Sequence, residues 1–448
     1  MQLGVAGLTT LAVACSADDT GDERSSTEGG EGGQSGTVVV VGSGLAGLAA
    51  ASKLADAGRT VIVLEAKGSI GGRTRTDRSL GIAFDLGASW IHGTTNNPIT
   101  ELAAKAGATF VELDFGDVTV FDEGGAEISV EQFEETEAAY EAMLEAVTEA
   151  GSDGDSFADV LASVEPDWFS DRLQAFFTSA YVAFDTGALD ELSSTLLDEG
   201  EEFGGPEVVM SNGYDLIAQY LADGLDIRLD HPVTSIAASG SGVTVVSTQG
   251  TFEADAVVVA VPLGVMKAGG IEFQPALGDD YIDAIESVGF NAVNKFLFVF
   301  DETFWDDTDY LVYTPTRRDV FNWFANVNAL QPGANALMTF AYADEARASE
   351  SRSDDEIIGL AMQHLRDMYG AAISEPIAMR RSAWVGDPYT RGAYSFTSVT
   401  TRMEHFDVLA SPSGRVHFAG EHTNRDFQST AHGAYLSGLR SAQEILDA

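Results

Sequence analysis

The chain has 448 residues, of which 70 are Asp or Glu and 24 are Lys or Arg, for a formal charge of −46; 45% of its residues are hydrophobic. That hydrophobic content excludes an intrinsically disordered chain, and the length allows two or three domains' worth of core. The charge excludes attraction to nucleic acid or anionic lipid and favours cationic ligands; it also matches a surface kept hydrated and screened by high salt.

In chain order, "LGVAGLTTLAVAC" (3–15) is apolar and small up to Cys15, and "SADDTGDERSSTEGGEGGQSG" (16–36) follows it. The first piece resembles the end of an export signal and the second a flexible tether, so the pair resembles a prokaryotic lipoprotein signal lipidated at Cys15. No basic residue precedes the apolar run, and Ala12 stands where leucine is usual. The expectation is an exported enzyme held outside the cytoplasmic membrane, with a cytoplasmic protein as the alternative. Cys15 is the only cysteine, which excludes an intrachain disulfide and a cysteine-ligated metal. No other run approaches the ~20 apolar residues that span a bilayer.

Residues 37–65 predict strand, turn, helix, strand: "TVVVV", the glycines Gly42, Gly44 and Gly47, a helix to about Ala57, then "TVIVLE". The first glycine allows a tight turn, the second lets backbone approach a diphosphate, and the third lets the helix pack on the strand. Glu65, ending the second strand, can accept hydrogen bonds from an adenosine ribose. NAD and FAD both satisfy this pattern. Helical spacing without breakers covers 131–150, and more helical sequence runs to about residue 200. A short helix and the strand-like pieces "DIRLD", "GVTVVST" and "ADAVVVAVP" occupy 213–262. Strands "NKFLFVFD" and "ALMTFAYA", a helix near 354–369, and a final strand–turn–helix complete the chain. The first and last units share one style. This predicts a mixed α/β protein in which a Rossmann-like cofactor domain is interrupted by a second domain.

"GGRTRT" (71–76), "FDLGASWIHG" (84–93), "AVPLGVMK" (260–267), "NKFLFVFD", "RGAYS" (391–395) and "HFAGEHT" (417–423) stand in the order and spacing of the flavin-dependent amine oxidases. The resemblance spans about residues 37–446 and is strongest to the polyamine and spermine oxidase branch. It implies FAD as the cofactor, with 37–93, 210–270 and 405–448 forming its domain. Residues 94–209, mainly helical, and 271–404 would form a substrate-binding domain with a mixed sheet. It further implies that Gly42, Gly44, Gly47, Glu65, Gly72 and Arg73 hold the dinucleotide. Gly87 and Ala88 would pass the flavin, the Val233 backbone would meet the adenine end, and Glu421 would bind the ribityl and diphosphate region. Lys295 corresponds to the lysine that holds a water near the flavin N5; a strand lysine facing solvent is the ordinary alternative. Tyr394 corresponds to one wall of an aromatic cage, and Thr430 stands at the opposite wall. Trp384 is placed near the flavin, and His92 is placed to face the substrate amine. Ala393 occupies the position of the flavin-linked cysteine of monoamine oxidases, so FAD is expected to be non-covalent. The expected reaction takes a small-molecule amine and O2 to an imine, then aldehyde plus amine, with hydrogen peroxide. Asp198, Glu199, Glu201 and Glu202 are candidates for drawing in a cationic polyamine. Another flavin amine or amino-acid oxidase or dehydrogenase, or a non-catalytic flavin-binding surface protein, are the alternative readings.

Overall fold

The computed structural model describes residues 36–180, 182, 186–197, 199–315 and 320–448, so Cys15 and the segment before residue 36 lie outside the described residues, as does Asp198. A five-stranded parallel sheet takes its strands, edge to edge, from Asp226–Arg228, Thr60–Leu64, Thr37–Val41, Ala256–Val259 and Val416–Phe418. Segments far apart in sequence thus become neighbours. The valine runs suit this place because a parallel sheet is covered on both faces, and Val38 to Val40 are fully buried. On one face Val38 and Val40 pack with Ala46, Ala50 and Ile445 of the helices Leu45–Asp56 and Ala431–Asp447. The two helices approach closely because Gly438 has no side chain: a Cβ there would lie 2.1 Å from the Ala46 carbonyl oxygen. On the other face Val39, Val41 and Val257 pack with Val243 and Val245 of a four-stranded sheet and with Phe406.

A second, seven-stranded sheet orders Ala378–Arg381, Val293–Val299, Ala336–Tyr342, Val320–Asn326, Tyr310–Thr314, Val118–Asp122 and Glu127–Ile128. Strand alternation sorts its faces. Phe296 and Phe298 pack with Ile357 and Leu365 of the helix Asp354–Tyr369. Val293 and Leu297 face the other way, toward the core that holds the helices Val130–Ala150 and Arg172–Ala180. Lys295, between Val293 and Leu297 in the alternation, shares their side.

The observed helices end sooner than the sequence suggests. Beyond Ala180, the described residues 186–197 carry no helix. There Ser193 N–H donates to the Thr397 carbonyl (2.9 Å) and Ser194 N–H to that of Asp155 (3.1 Å), so tertiary partners replace the helical ladder. The helices Asp279–Ser287 and Met403–Ala410, for which the sequence reading had no element, pack against the four-stranded sheet's core through Tyr281, Ile285 and Phe406.

Candidate active site

The two sheet systems border a cavity of about 440 Å³. Its nucleotide end is built by the first strand–turn–helix. Gly42 has φ +100°, and a Cβ there would lie 2.8 Å from the Ala260 carbonyl oxygen, so the turn requires glycine. A Cβ on Gly44 would meet nothing within 4 Å and would project into the cavity, the space a diphosphate needs. Gly47 does not line the cavity. A Cβ there would sit 2.0 Å from the Gly42 carbonyl oxygen, so its work is to seat the helix on the turn rather than to touch a cofactor. The helix Leu45–Asp56 starts at Gly44 with no side-chain cap and no acid in its first turn, leaving its positive end for an anion. The buried Glu65 carboxylate accepts from Ser43 N–H (2.8 Å), Ser43 Oγ (2.6 Å) and Lys67 N–H (2.9 Å). Val233 and His231 line the same region.

Arg73 joins this end to the middle. Its Nη1 donates to the Ala393 carbonyl (2.6 Å) and to Glu421 Oε1 (2.8 Å). Glu421 also accepts from Ser395 Oγ (2.6 Å) and Ser429 N–H (3.2 Å). Burial alone would raise its pKa; the Arg73 charge, with His422 and the Ser395 hydroxyl, instead holds the carboxyl well below the usual carboxylate range. Gly87 lies so close to Arg73 that a Cβ would be 1.9 Å from its carbonyl oxygen, and Ala88 N–H donates to that same oxygen (3.1 Å). Gly72, Gly87 and Ala88 therefore present backbone along the cavity wall. The lining bases Lys67, Arg73, Lys295 and Arg391 outnumber the lining acids Glu65 and Glu421 in a chain of charge −46. The glycine cradle, the uncapped helix and this local positive balance fit a dinucleotide diphosphate.

At the far end Lys295 is buried, not solvent-facing. Its Nζ donates to Ser89 Oγ (2.5 Å) and lies 5.1 Å from the Trp90 ring centroid and 5.6 Å from that of Phe340. Burial pushes its pKa down to about 8, opposed by the negative charge of Asp85. Burial pushes the Asp85 carboxyl up, opposed in turn by Lys295; Asp85 accepts from Thr76 Oγ1 (2.6 Å) and Tyr214 N–H (2.9 Å). Tyr394 and Trp384 line the cavity. Thr430 lines it too, but its hydroxyl donates to the Phe427 carbonyl (2.8 Å) and accepts from Gly433 N–H (2.9 Å), capping the final helix. Thr430 thus shares the cavity wall with Tyr394 while its hydroxyl is committed to the helix cap. His92 reaches the cavity with its Nδ1 3.0 Å from both Glu207 oxygens. His432, buried edge-on against the stacked rings of Phe203 and Phe427, is pushed down to about 3 by burial and by His92, so it adds no charge near neutral pH.

Glu199, Glu201 and Glu202 are exposed and do not line the cavity. Their segment is tied to the 426–428 loop, with Glu201 N–H donating to the Asp426 carbonyl (2.6 Å) and Gln428 Nε2 to that of Glu199. Sequence reasoning missed Ser89, Asp85 and Glu207. Ser89 was within reach, because it stands two residues after Gly87 in the same quoted motif. Glu207 carried no signal among 70 acids.

The family model for flavin containing amine oxidoreductases matches residues 45–446. Polyamine oxidase 4 of rice (Oryza sativa subsp. japonica) is 32% identical over 438 residues, covering 91% of this chain and 88% of that protein. Polyamine oxidase 2 of Arabidopsis thaliana is 30% identical over 91% of this chain and 87% of its own length. The human lysine-specific histone demethylase 2 is also 30% identical, but the match takes up only 53% of that longer protein. Among solved structures, putrescine oxidase bound to putrescine superposes with a TM-score of 0.77 at 21% identity, over 92% of this chain and 99% of that one, and so shares the fold. With a dinucleotide cradle in place and the match running almost from end to end of the described chain, the protein belongs to the flavin-containing amine oxidoreductases and is an FAD-dependent amine oxidase.

Proposed function

We propose that this enzyme oxidises polyamines, with O2 as electron acceptor and hydrogen peroxide as a product. FAD, when bound, supplies the acceptor for a hydride equivalent from the carbon next to the amine nitrogen and passes the electrons on. The observation that carries the substrate reading is His92, which lines the cavity, with Glu207 paired to it outside the lining. With Nδ1 engaged by Glu207, His92 leaves Nε2 for a hydrogen bond to substrate, and Glu207 adds negative charge behind it. A polyamine can leave one ammonium on this pair while another nitrogen reacts, whereas benzylamine's single nitrogen cannot do both and an amino acid brings a carboxylate that Glu207 would repel. Lys295, held by Ser89 and packed against two aromatic rings, supplies the buried cation for the oxygen half of the cycle. FAD is held by hydrogen bonds and charge rather than by a covalent link, since Ala393 offers no thiol.

The test is a peroxide assay over spermine, spermidine, their acetylated forms, putrescine, benzylamine and L-amino acids, at low and high salt. Polyamines should be consumed preferentially, and Glu207→Gln should raise their KM about tenfold, the worth of one charged hydrogen bond. Turnover confined to amino acids or to small aromatic amines would overturn the substrate reading.

We also propose that the enzyme is exported and anchored through Cys15, on the pattern of residues 3–36. Within the described residues no helix is long and apolar enough to cross a membrane. Mass spectrometry of the native protein should find a lipidated chain starting at Cys15; an unmodified Met1 rejects export.

A further inference from the structure

We propose that Trp384–Gly392 is a strap that retains FAD, and that an ion pair between Lys67 and Asp387 clasps it shut. The segment leaves the seven-stranded sheet after Ala378–Arg381 and crosses to the cavity, which Trp384, Tyr389 and Arg391 line. Its neck is pinned. Glu350, on the helix Ala343–Ser351, accepts from the N–H groups of Trp384 (2.8 Å), Val385 (2.8 Å) and Gly386 (2.7 Å) and from Asn294 Nδ2 (3.1 Å). Gly392 N–H and Thr390 Oγ1 both donate to the Trp384 carbonyl, at 3.0 and 2.8 Å, which closes the loop on itself.

The tip is held differently. Asp387 organises it locally, accepting from Tyr389 N–H (2.9 Å), and pairs across the cavity rim with Lys67 Nζ. Lys67 lies just beyond the strand Thr60–Leu64 of the parallel sheet, and its own N–H holds Glu65, the acid at the ribose end. The pair therefore ties the strap to the nucleotide side of the cavity, between two sheet systems that the backbone joins only distantly. A cofactor seated along the cavity would leave past this point only once the pair parts. The side chains are 22% and 17% exposed, so water and salt reach the clasp. That makes it an openable contact, unlike the pinned neck. Tyr389, lining the cavity yet 39% exposed, would swing out with the tip.

This inference rests on FAD filling the cavity, and not on which amine is oxidised. The experiment uses the full-length holoenzyme, whose flavin absorbance first shows that the cofactor is bound. FAD release is followed by the rise of free-flavin fluorescence after dilution, for wild type, Asp387→Asn, Lys67→Met and the exchanged pair Lys67→Asp with Asp387→Lys. Each single variant should release FAD about fivefold faster at low salt, the effect of losing one partly buried ion pair, and the exchanged pair should recover most of the slow rate. Wild-type release should quicken with added NaCl, and that of the single variants should quicken less. Release at the wild-type rate in both single variants overturns the clasp. So does fast release in the exchanged pair, which would mean the variants disturb packing instead. Should one single variant fail to fold, the other and the wild-type salt series decide, a flat salt series counting against the clasp.

Discussion

Replacement of Lys295 by methionine is expected to slow the O2-dependent half of the catalytic cycle about 100-fold, while amine-dependent reduction and FAD binding change little. The magnitude is that of removing one preorganised charge from a site shielded from water. Methionine keeps most of the length and volume of the lysine stem, so the contacts near Trp90 and Phe340 survive and the lost feature is the charge. The pH dependence follows from the same geometry. Burial lowers Lys295 to about 8, and Asp85 draws it back up, so the ammonium is present below that pH and titrates away above it. The wild-type rate with O2 should accordingly fall as pH rises through about 8, and the methionine variant should show no such step. Stopped-flow measurement of both half-reactions across pH 6–10 checks this; equal oxygen rates in the two proteins would remove the assigned role.

Arg73→Ala is expected to destabilise the protein by about 3–5 kcal/mol at pH 7 and to yield it largely free of FAD. Removing one partner of a buried pair leaves the other charge uncompensated, which costs more than the pair itself contributes. Here the stranded group is Glu421, buried and bound to Ser395 and Ser429, with His422 at 3.8 Å as its remaining ion-pair partner among the described residues. The sign with pH is fixed by the direction of its shift. Glu421 is depressed in the folded protein, so it contributes stability above the unfolded carboxylate value that is lost only in strong acid. Without Arg73 the largest opposing charge is gone, so burial should raise the carboxyl from its depressed value, with His422 and Ser395 still opposing it. The deficit of the variant should therefore be largest near neutrality and shrink as pH falls below the usual carboxylate range. Denaturant titrations at pH 7 and pH 4 measure it, and Glu421→Gln in the Arg73→Ala background should recover part of the loss. An unchanged midpoint at pH 7 would show that the pair carries no such load.

What the sequence determined by itself is what short-range sterics dictate. Gly42 with φ +100°, the open side of Gly44 and the crowding at Gly47 are properties of one strand–turn–helix, and the spacing of three glycines displays them. The valine runs mark strands for the same local reason. Lys295, Arg73 and Glu421 could be singled out only because their flanking motifs resemble a family; Arg73 and Glu421 stand 348 residues apart, and no periodicity links them. The tertiary structure alone decided the rest. It placed Glu207 on His92, and it used the Thr430 hydroxyl as a helix cap. It docked the acids at 199–202 on an outer loop rather than in the cavity, and it closed Lys67 on Asp387. In a chain with 70 acids, one carboxylate looks like another. What separates them is the burial and the partner that folding assigns, because charge interactions depend on distance and local dielectric, and neither is written in the order of residues.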